Sequence, residues 1–443
     1  MRIPAYVQNL MDVLERAGFE AWAVGGCVRD AALGIEPHDY DLCTNALPEE
    51  TMALFSDHQL VLAGLKHGTV AVVTEVDVVE ITTFRTEGDY TDNRHPGWVN
   101  FVKTIEEDLS RRDFTVNAMA YSPLRGYADP FGGLQDLADK RLRAVGDPVA
   151  RFGEDSLRIL RGARFAARFG MTIDPETRAA METQKALMDG LARERVFSEL
   201  TKFFTMADSA LILDMASVLV QVIPELEVCV GFDQRTPHHG YDVYTHMAHV
   251  TGALAKEPEL RFAGILHDIG KPHAMTIDAR GQGHFKGHGP VSAGMADEIL
   301  HRLKAPTAFR EEVVWLVEHH MELPQGDIRA ARRALSVNGI ERVRRLTALQ
   351  MADCACKGVE EPDQRGRDLP AFLAMAEELE AREGRLSLKR LQVKGPDLIA
   401  LGYPKGPVLG KTLQALLDAV IDEQVANEPG ALLGLAEQWL RES

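Results

Sequence analysis

GGCVRDAALGIEPHDYD, residues 25–41, sets a glycine pair and an arginine ahead of two aspartates spaced by one residue. On a strand, Asp39 and Asp41 would share one face, with Cα atoms about 7 Å apart. Two hard oxygen ligands on one face suit Mg²⁺, which takes one or two carboxylates together with phosphate oxygens. Gly25 and Gly26 let main-chain N–H groups approach a phosphate, and Arg29 adds a charge-assisted donor. A DxD in a loop is more often a solvated turn; with GG-x-x-R before it, the stretch describes a nucleoside triphosphate site. Glu80, in the strand-like DVVEITTFR (77–85), is the candidate third carboxylate, expected on a neighbouring antiparallel strand. Such a trio suits in-line displacement of pyrophosphate by a hydroxyl.

Outward from this stretch, residues 4–18 repeat apolar side chains at Val7, Leu10, Val13 and Leu14, a helical period. The apolar run AWAV precedes the glycines, and residues 60–85, rich in Val and Thr and broken at Gly68 and Asp77, read as strands joined by turns. From about residue 154 the pattern turns helical, with turn signals at Gly170, Pro175 and Gly190. Further breaks fall at VGFDQRTPHHG (230–240) and KGVEEPDQRGRD (357–368). The expected fold class is α+β: a mixed-sheet head followed by an all-helical body. The expected divisions are 1–145, 146–230, 231–360 and 361–443, in keeping with a chain too long for one core.

The formal net charge of −17 would argue against a dedicated nucleic-acid binder. Local clustering of Arg158, Arg161, Arg164 and Arg168 removes that objection. Five cysteines (27, 43, 229, 354, 356) form no CxxC pair, which suggests reduced thiols. The N-terminal segment carries acids, unlike a signal peptide, and no apolar run reaches the roughly eighteen residues of a membrane helix. A soluble cytoplasmic protein with no membrane partner is expected.

GGxVRDxxLG followed by DxD resembles the nucleotidyltransferase superfamily, in the branch holding CCA-adding tRNA nucleotidyltransferases and bacterial poly(A) polymerases. The resemblance continues, in order, through TFRTEGDYTDNRHP (83–96), EEDLSRRDFTVNAMAY (106–121), DPFGGLQDL (129–137) and RFGEDSLRILRGARFAARFG (151–170). In EDSLRILRGAR (154–164), Asp155 and Arg158 are three apart on a predicted helix and so neighbours on one face. Such a pair is usually a surface ion pair worth less than about 1 kcal/mol. It also offers an acceptor beside donors, complementary to the amine and ring nitrogen of cytosine or adenine and mismatched to uracil or guanine.

The resemblance implies base selection by Asp155 and Arg158, with Arg112, Arg161 and Arg164 on the triphosphate and sugar. For Asp113, orienting the ribose or the neighbouring arginines both stay open. RERVFSELTKFF (193–204) resembles the family's neck helix. Lys389, Arg390, Lys394, Lys405 and Lys411 are candidates for contact with the tRNA body, or simply solvated lysines and an arginine. Segment 85–98 resembles the flexible loop that full CCA-adding members retain. The implied partners are tRNA, CTP and ATP, with Mg²⁺ as cofactor in the head.

Downstream, His246, His267-Asp268 in GILHDIGKP and Asp353 give the order H…HD…D, which resembles the HD phosphohydrolase superfamily. Lone helical histidines are more often satisfied core residues; the ordered set points to a divalent metal of unspecified identity. His288 and one of His319 or His320 are candidates for a second ion. The implied chemistry is hydrolysis of a phosphomonoester or phosphodiester, the alternative being a purely structural domain. The leading expectation is addition of C, C and A to tRNA. Its alternatives are a poly(A) polymerase, an A-only or CC-only transferase, and an HD phosphohydrolase with the head as RNA-binding module. The acidic C-terminus, DEQVANEPGALLGLAEQWLRES, disfavours a poly(A) polymerase, whose relatives tend to carry basic tails.

Overall fold

The computed structural model describes residues 1–87, 99–322, 327–359, 366–384 and 386–442. They fall into two compact units, Met1–Pro224 and Glu225–Ser443. In the first, α1 (Ala5–Arg16) buries Val7, Leu10, Met11 and Leu14, the stripe its periodicity predicts. β1 (Ala21–Val24) is buried throughout and ends at Gly25, whose φ of +70° turns the chain into α2 (Gly26–Ala32). β2 (Asp41–Thr44), α3 (Pro48–Leu54) and β3 (Gln59–Val61) follow; then come a 3₁₀ turn at Leu65–His67, β4 (Thr69–Val73) and β5 (Val78–Thr83).

A separate ribbon of β6 (Arg85–Glu87) and β7 (Val99–Phe101) leads to α4 (Ile105–Ser110) and a second 3₁₀ turn, Thr115–Asn117. β8 (Ala120–Ser122) and β9 (Gly126–Ala128) complete a seven-stranded sheet of order β3-β4-β5-β2-β1-β8-β9. Trp22, Val24, Cys43, Phe84, Ile105, Leu109 and Val145 form a core on it.

β5 pairs with β2 in parallel, not antiparallel as expected, with Asp41 directly opposite Glu80. The crossover through α3 and the β3–β4 hairpin returns the chain in the direction of β2. Asp39 precedes β2 rather than lying on it.

After α5 (Gly133–Ala138) and β10 (Arg141–Leu142) come α6 (Pro148–Glu154) and α7 (Leu157–Phe169). β11 (Thr172–Ile173) pairs with β10, and α8 (Pro175–Gln184), α9 (Arg193–Met206), α10 (Ser209–Asp214) and α11 (Ala216–Val222) close the unit. A Cβ at Gly162 would sit 2.9 Å from the Phe114 ring, so glycine lets α7 lie against the segment that carries Asp113.

In the second unit, α12 (Val243–Ala253), α13 (Pro258–Leu266) and α14 (Lys271–Ala274) are followed by a short ribbon of β12 (Thr276–Ile277) and β13 (Gly283–His284). Next come α15 (His288–Arg302), α16 (Thr307–His319), α17 (Ile328–Asn338), α18 (Ile340–Ala355) and α19 (Leu369–Glu383). The C-terminal helices α20 (Gly395–Ala400), α21 (Pro407–Ile421) and α22 (Pro429–Glu442) have a core of their own around Leu398, Tyr403, Leu416 and Leu432. Arg332 and Arg333 of α17 pair with Glu423 and Asp422 just past α21. No helix among the described residues is long and apolar enough to cross a membrane.

Candidate nucleotide cleft and metal centre

The first unit holds a cavity of about 610 Å³ lined by Gly25, Gly26, Asp41, Asp113, Asn117, Asp155, Phe165, His67 and nine arginines (29, 85, 111, 112, 158, 161, 164, 168, 195). Nine cations against three carboxylates in one cavity suit a polyanion. A Cβ on Gly25 would lie 2.8 Å from Arg112 Nη1, so the first glycine is fixed both by its φ and by that approach. Cys27, beside it, donates to the Val24 carbonyl at 3.3 Å, and burial pushes its thiol up to about 11, so it stays protonated.

Most of these arginines are held by a carboxylate. Arg29 is buried, bonded to Asp30 through Nε at 2.8 Å and packed over Phe169 with its Cζ 4.6 Å from the ring centroid. Asp108, fully buried, accepts from Arg111 Nε at 3.1 Å, Arg112 Nη2 at 3.2 Å and the Arg85 amide at 3.2 Å. Asp113 accepts from Arg161 Nε and Nη2 at 2.9 and 2.6 Å. Burial alone would raise Asp113, but Arg161 and the hydrogen bond from Asn117 bring it down to about 2. Of the two roles the sequence left open for Asp113, the contact present here is the one with an arginine. Arg164 donates to Glu199 at 2.6 Å and lies over the Phe165 ring.

Asp155 and Arg158 both line the cleft, yet they do not sit on one helix as expected. α6 ends at Glu154, Asp155 is extended at φ −141°, and α7 begins at Leu157. Asp155 Oδ1 accepts from the Leu157 amide at 3.0 Å, and Oδ2 lies 3.3 Å from Arg195 Nη2. Arg158 pairs instead with Glu154 at 2.6 Å and donates to the carbonyls of Arg151 and Arg111, each at 3.1 Å. Three of its five N–H donors are thus engaged, leaving Nε–H and one on Nη2.

Asp39, Asp41 and Glu80 are all exposed residues, with Asp41 and Glu80 side by side in the β2–β5 register. Asp41 is raised above the usual carboxylate range, chiefly because the cleft walls desolvate it; Glu80 and Asp39 add to the rise, and Arg112 offsets part of it. The clustering of negative charge fits a cation, although the three carboxylates are not drawn into a ligand group within 4.8 Å.

Among the described residues, the two groups that do converge within 4.8 Å are in the second unit: His246, His267, Asp268 and Asp353, and Asp268, His288 and His320. α12 supplies His246, the end of α13 gives His267 and Asp268, α15 opens on His288, α16 closes before His320, and α18 carries Asp353. A Cβ on Gly270 would lie 2.6 Å from the Ser292 amide, so glycine lets α15 approach the His-Asp turn.

Every imidazole of the cluster is pinned at Nδ1 by a main-chain carbonyl: His246 by Cys356 at 3.0 Å, His267 by Gly264 at 2.8 Å, His288 by Phe285 at 2.7 Å and His320 by Val317 at 2.6 Å. The carbonyl can only accept, so Nδ1 carries a proton in each ring and every Nε2 is directed inward. Yet Nε2 of His246 and His267 are 3.3 Å apart, and those of His288 and His320 3.1 Å apart. Asp268 Oδ2 is buried and ion-paired with Lys271 Nζ at 2.6 Å. Four Nε2 atoms converging on the carboxylates of Asp268 and Asp353 make a nitrogen-and-oxygen donor set that suits a divalent cation.

Asp268 lies between the groups, Oδ1 being 3.0 Å from His288 and Oδ2 3.3 Å from His246. Both aspartates are held well below the usual range against their burial, Asp268 chiefly by His267 and Lys271 and Asp353 chiefly by His246. His319 is excluded from the second group: one residue short of His320, its ring stacks on Trp315 and its Nδ1 meets the Trp315 carbonyl at 2.9 Å.

Arg195 and Glu199 lie in RERVFSEL, a stretch recognised for its helix but not for side chains that reach the cleft; their i, i+4 spacing was the available signal. Glu154, adjacent to Asp155, and Lys271, in HDIGK, were likewise passed over. Lys394 directs its ammonium to the carbonyls of Leu388 and Lys389, so it caps its own loop.

Family comparisons agree with this geometry. Residues 21–143 match the poly A polymerase head domain, 170–229 a probable RNA- and SrmB-binding site of polymerase A, and 243–357 the HD domain. A CCA-adding enzyme of Streptococcus uberis is 49% identical over 207 residues, 46% of this chain and 51% of that protein, so the chain spans about half the length of such relatives. One from Limosilactobacillus fermentum is 31% identical over 446 residues, 98% of this chain and 96% of that protein. The crystal structure of the Bacillus stearothermophilus CCA-adding enzyme in complex with CTP superposes with a TM-score of 0.73 at 26% identity, covering 100% of this chain and 99% of that one. With nearly full-length similarity added to a mixed-sheet head and its arginine-lined cleft, the chain belongs to the CCA-adding enzyme family.

Proposed function

We propose that this chain adds C, C and A to the 3′ end of tRNA from CTP and ATP without a nucleic-acid template. The observation that carries the reading is the cleft itself, where Asp41, the glycine turn, nine arginines and the Asp155–Arg158 pair line one cavity. In this reading Asp39, Asp41 and Glu80 hold Mg²⁺, which supplies charge neutralisation at the attacking hydroxyl and the leaving pyrophosphate. Gly25, Gly26, Arg29, Arg112, Arg161 and Arg164 receive the triphosphate and sugar. Asp155 Oδ2 accepts from the exocyclic amine of C or A, and the two open donors of Arg158 serve the adjoining ring nitrogen, an arrangement that leaves U and G unpaired.

The head is taken as residues 1–145, the nucleotide-selecting neck as 146–230, the HD domain as 231–360 and the tail as 361–443. Bound tRNA would be read through its acceptor arm and backbone rather than its base sequence. The retained loop that favours full CCA addition lies largely in 88–98, outside the described residues. Incubation with tRNA lacking CCA, with CTP, ATP, UTP and GTP singly and together, tests the reading. Two C additions followed by one A are expected; extension by A alone, or absence of C, overturns it.

A second activity is favoured by one specific observation, the two convergent ligand groups sharing Asp268. His246, His267, Asp268 and Asp353 would hold one divalent ion and Asp268, His288 and His320 another, giving an activated water for phosphoester hydrolysis. Phosphate release from a 2′,3′-cyclic nucleotide should vanish in the H267A/D268A double variant; undiminished release would refute it.

A further inference from the structure

The turn Thr115–Asn117 places a single amide between two arginines of the cleft. Asn117 is 7% exposed. Its Oδ1 accepts from Arg29 Nη1 at 2.6 Å, and its Nδ2 donates to Asp113 Oδ1 at 3.0 Å. Asp113 in turn holds Arg161 through its other oxygen. An unbroken chain of polar contacts therefore runs from Asp30 through Arg29, Asn117 and Asp113 to Arg161, linking α2 behind the glycine turn to α7.

The chemistry of the ends dictates the middle. A guanidinium only donates and a carboxylate only accepts, so the group between them must present one acceptor and one donor. A carboxamide does this at any ordinary pH, and the fixed ends also decide which way it points. We propose that Asn117 is a positioning residue, resting on the nucleotidyl-transfer reading above: it keeps the triphosphate end of the cleft (Arg29) and the sugar end (Arg161) in fixed register around one incoming nucleotide. It acts through Arg29 and Asp113 and need not touch the nucleotide.

The N117D variant tests this with almost no change of shape. An ionised carboxylate at position 117 keeps its contact with Arg29 but faces Asp113 with like charge, and the relay breaks. Once protonated, the same group again offers a carbonyl to Arg29 and an O–H to Asp113, and the relay re-forms. The other charged groups nearby are Asp30 on α2, Arg112 beside Gly25, and Arg161 and Arg168 on α7.

At about pH 8, kcat for adding C to tRNA lacking CCA should fall at least about tenfold in N117D, the cost of a reacting geometry lost by a small displacement. Relative to wild type at each pH, the deficit should shrink severalfold by about pH 5.5, as the introduced carboxyl takes up its proton. N117A, with neither donor nor acceptor, should be impaired equally at both pH values. Thermal melts keep the comparison to folded protein. A deficit in N117D that is independent of pH, or one within twofold of wild type throughout, overturns the relay. Wild-type C addition in the same series reports on the underlying reading: if it is absent, that reading fails, and CTP titration of N117D against pH then decides the relay by itself.

Discussion

At least eight of the nine arginines in the cleft pair with a carboxylate. In the HD cluster, four imidazoles and two carboxylates turn their Nε2 and oxygen atoms toward one another, with Lys271 as the adjacent cation. In the first arrangement the side chains are oriented in advance, so little ordering would be left for an anion to impose. The second gathers its ring nitrogens and carboxylates with Lys271 as the one neighbouring ammonium, a donor set suited to a cation. The difference teaches that a site suited to an anion can be assembled from cations already paired within the protein, whereas one suited to a cation gathers its donors around few protein partners.

Substitutions should separate the two. The largest expected effect is from D41N, which removes a carboxylate facing the cleft: nucleotide addition should fall about a thousandfold or more, several kcal/mol of transition-state stabilisation. Metal content of the HD cluster, measured by mass spectrometry, should be unchanged in that variant. Next, dialysis against a chelator should lower the thermal midpoint of the wild type by several degrees through loss of a ligand bound to the native state. Calorimetry on H267A should show a much smaller response. Identical melts with and without chelator would remove the contrast drawn above.

R158A should relax selection, raising misincorporation of U by roughly 10- to 100-fold in a competition assay, the worth of one good base contact. Asp113 gives a smaller effect with a definite sign. Its folded pKa of about 2 lies below the unfolded value, so the stability it contributes is present above about pH 4 and lost as pH falls through 2. An acid titration of D113N should therefore lose part of the stability change that the wild type shows in that window. Smallest of all, E154Q should widen misincorporation less than tenfold, since the Glu154–Arg158 pair is partly solvated and two carbonyls still hold the guanidinium.

Much of this was legible in the chain because it is encoded locally. The glycine turn, the Asp-x-Asp pair and the His-Asp dipeptide each depend on neighbours in sequence, and helical period located α1 and α7. What could not be read depends on chain direction and on distant partners. The parallel pairing that sets Glu80 opposite Asp41 follows from the crossover through α3, which no periodicity in DVVEITTFR reveals. The break at Asp155 was hidden because EDSLRIL has good helix formers on both sides, while the Asp155 side chain caps the Leu157 amide. The choice of His320 over His319 rests on a single step of about 100° around a helix end, and adjacent histidines look alike in sequence.

The carbonyl pins have an evolutionary corollary. For His267, His288 and His320 the acceptor is the main chain three residues earlier, at positions 264, 285 and 317. A carbonyl is present whatever side chain a position carries. As far as ring orientation goes, the side chains at 285 and 317 can change, whereas Gly264 is held by packing, a Cβ there lying 3.1 Å from the Thr251 Cα. His246 is the exception, because its acceptor, the carbonyl of Cys356, is brought from a distant part of the chain. An insertion or deletion near the end of α18 should therefore disturb the His246 ring, whereas a side-chain change at 285 leaves the acceptor of His288 in place.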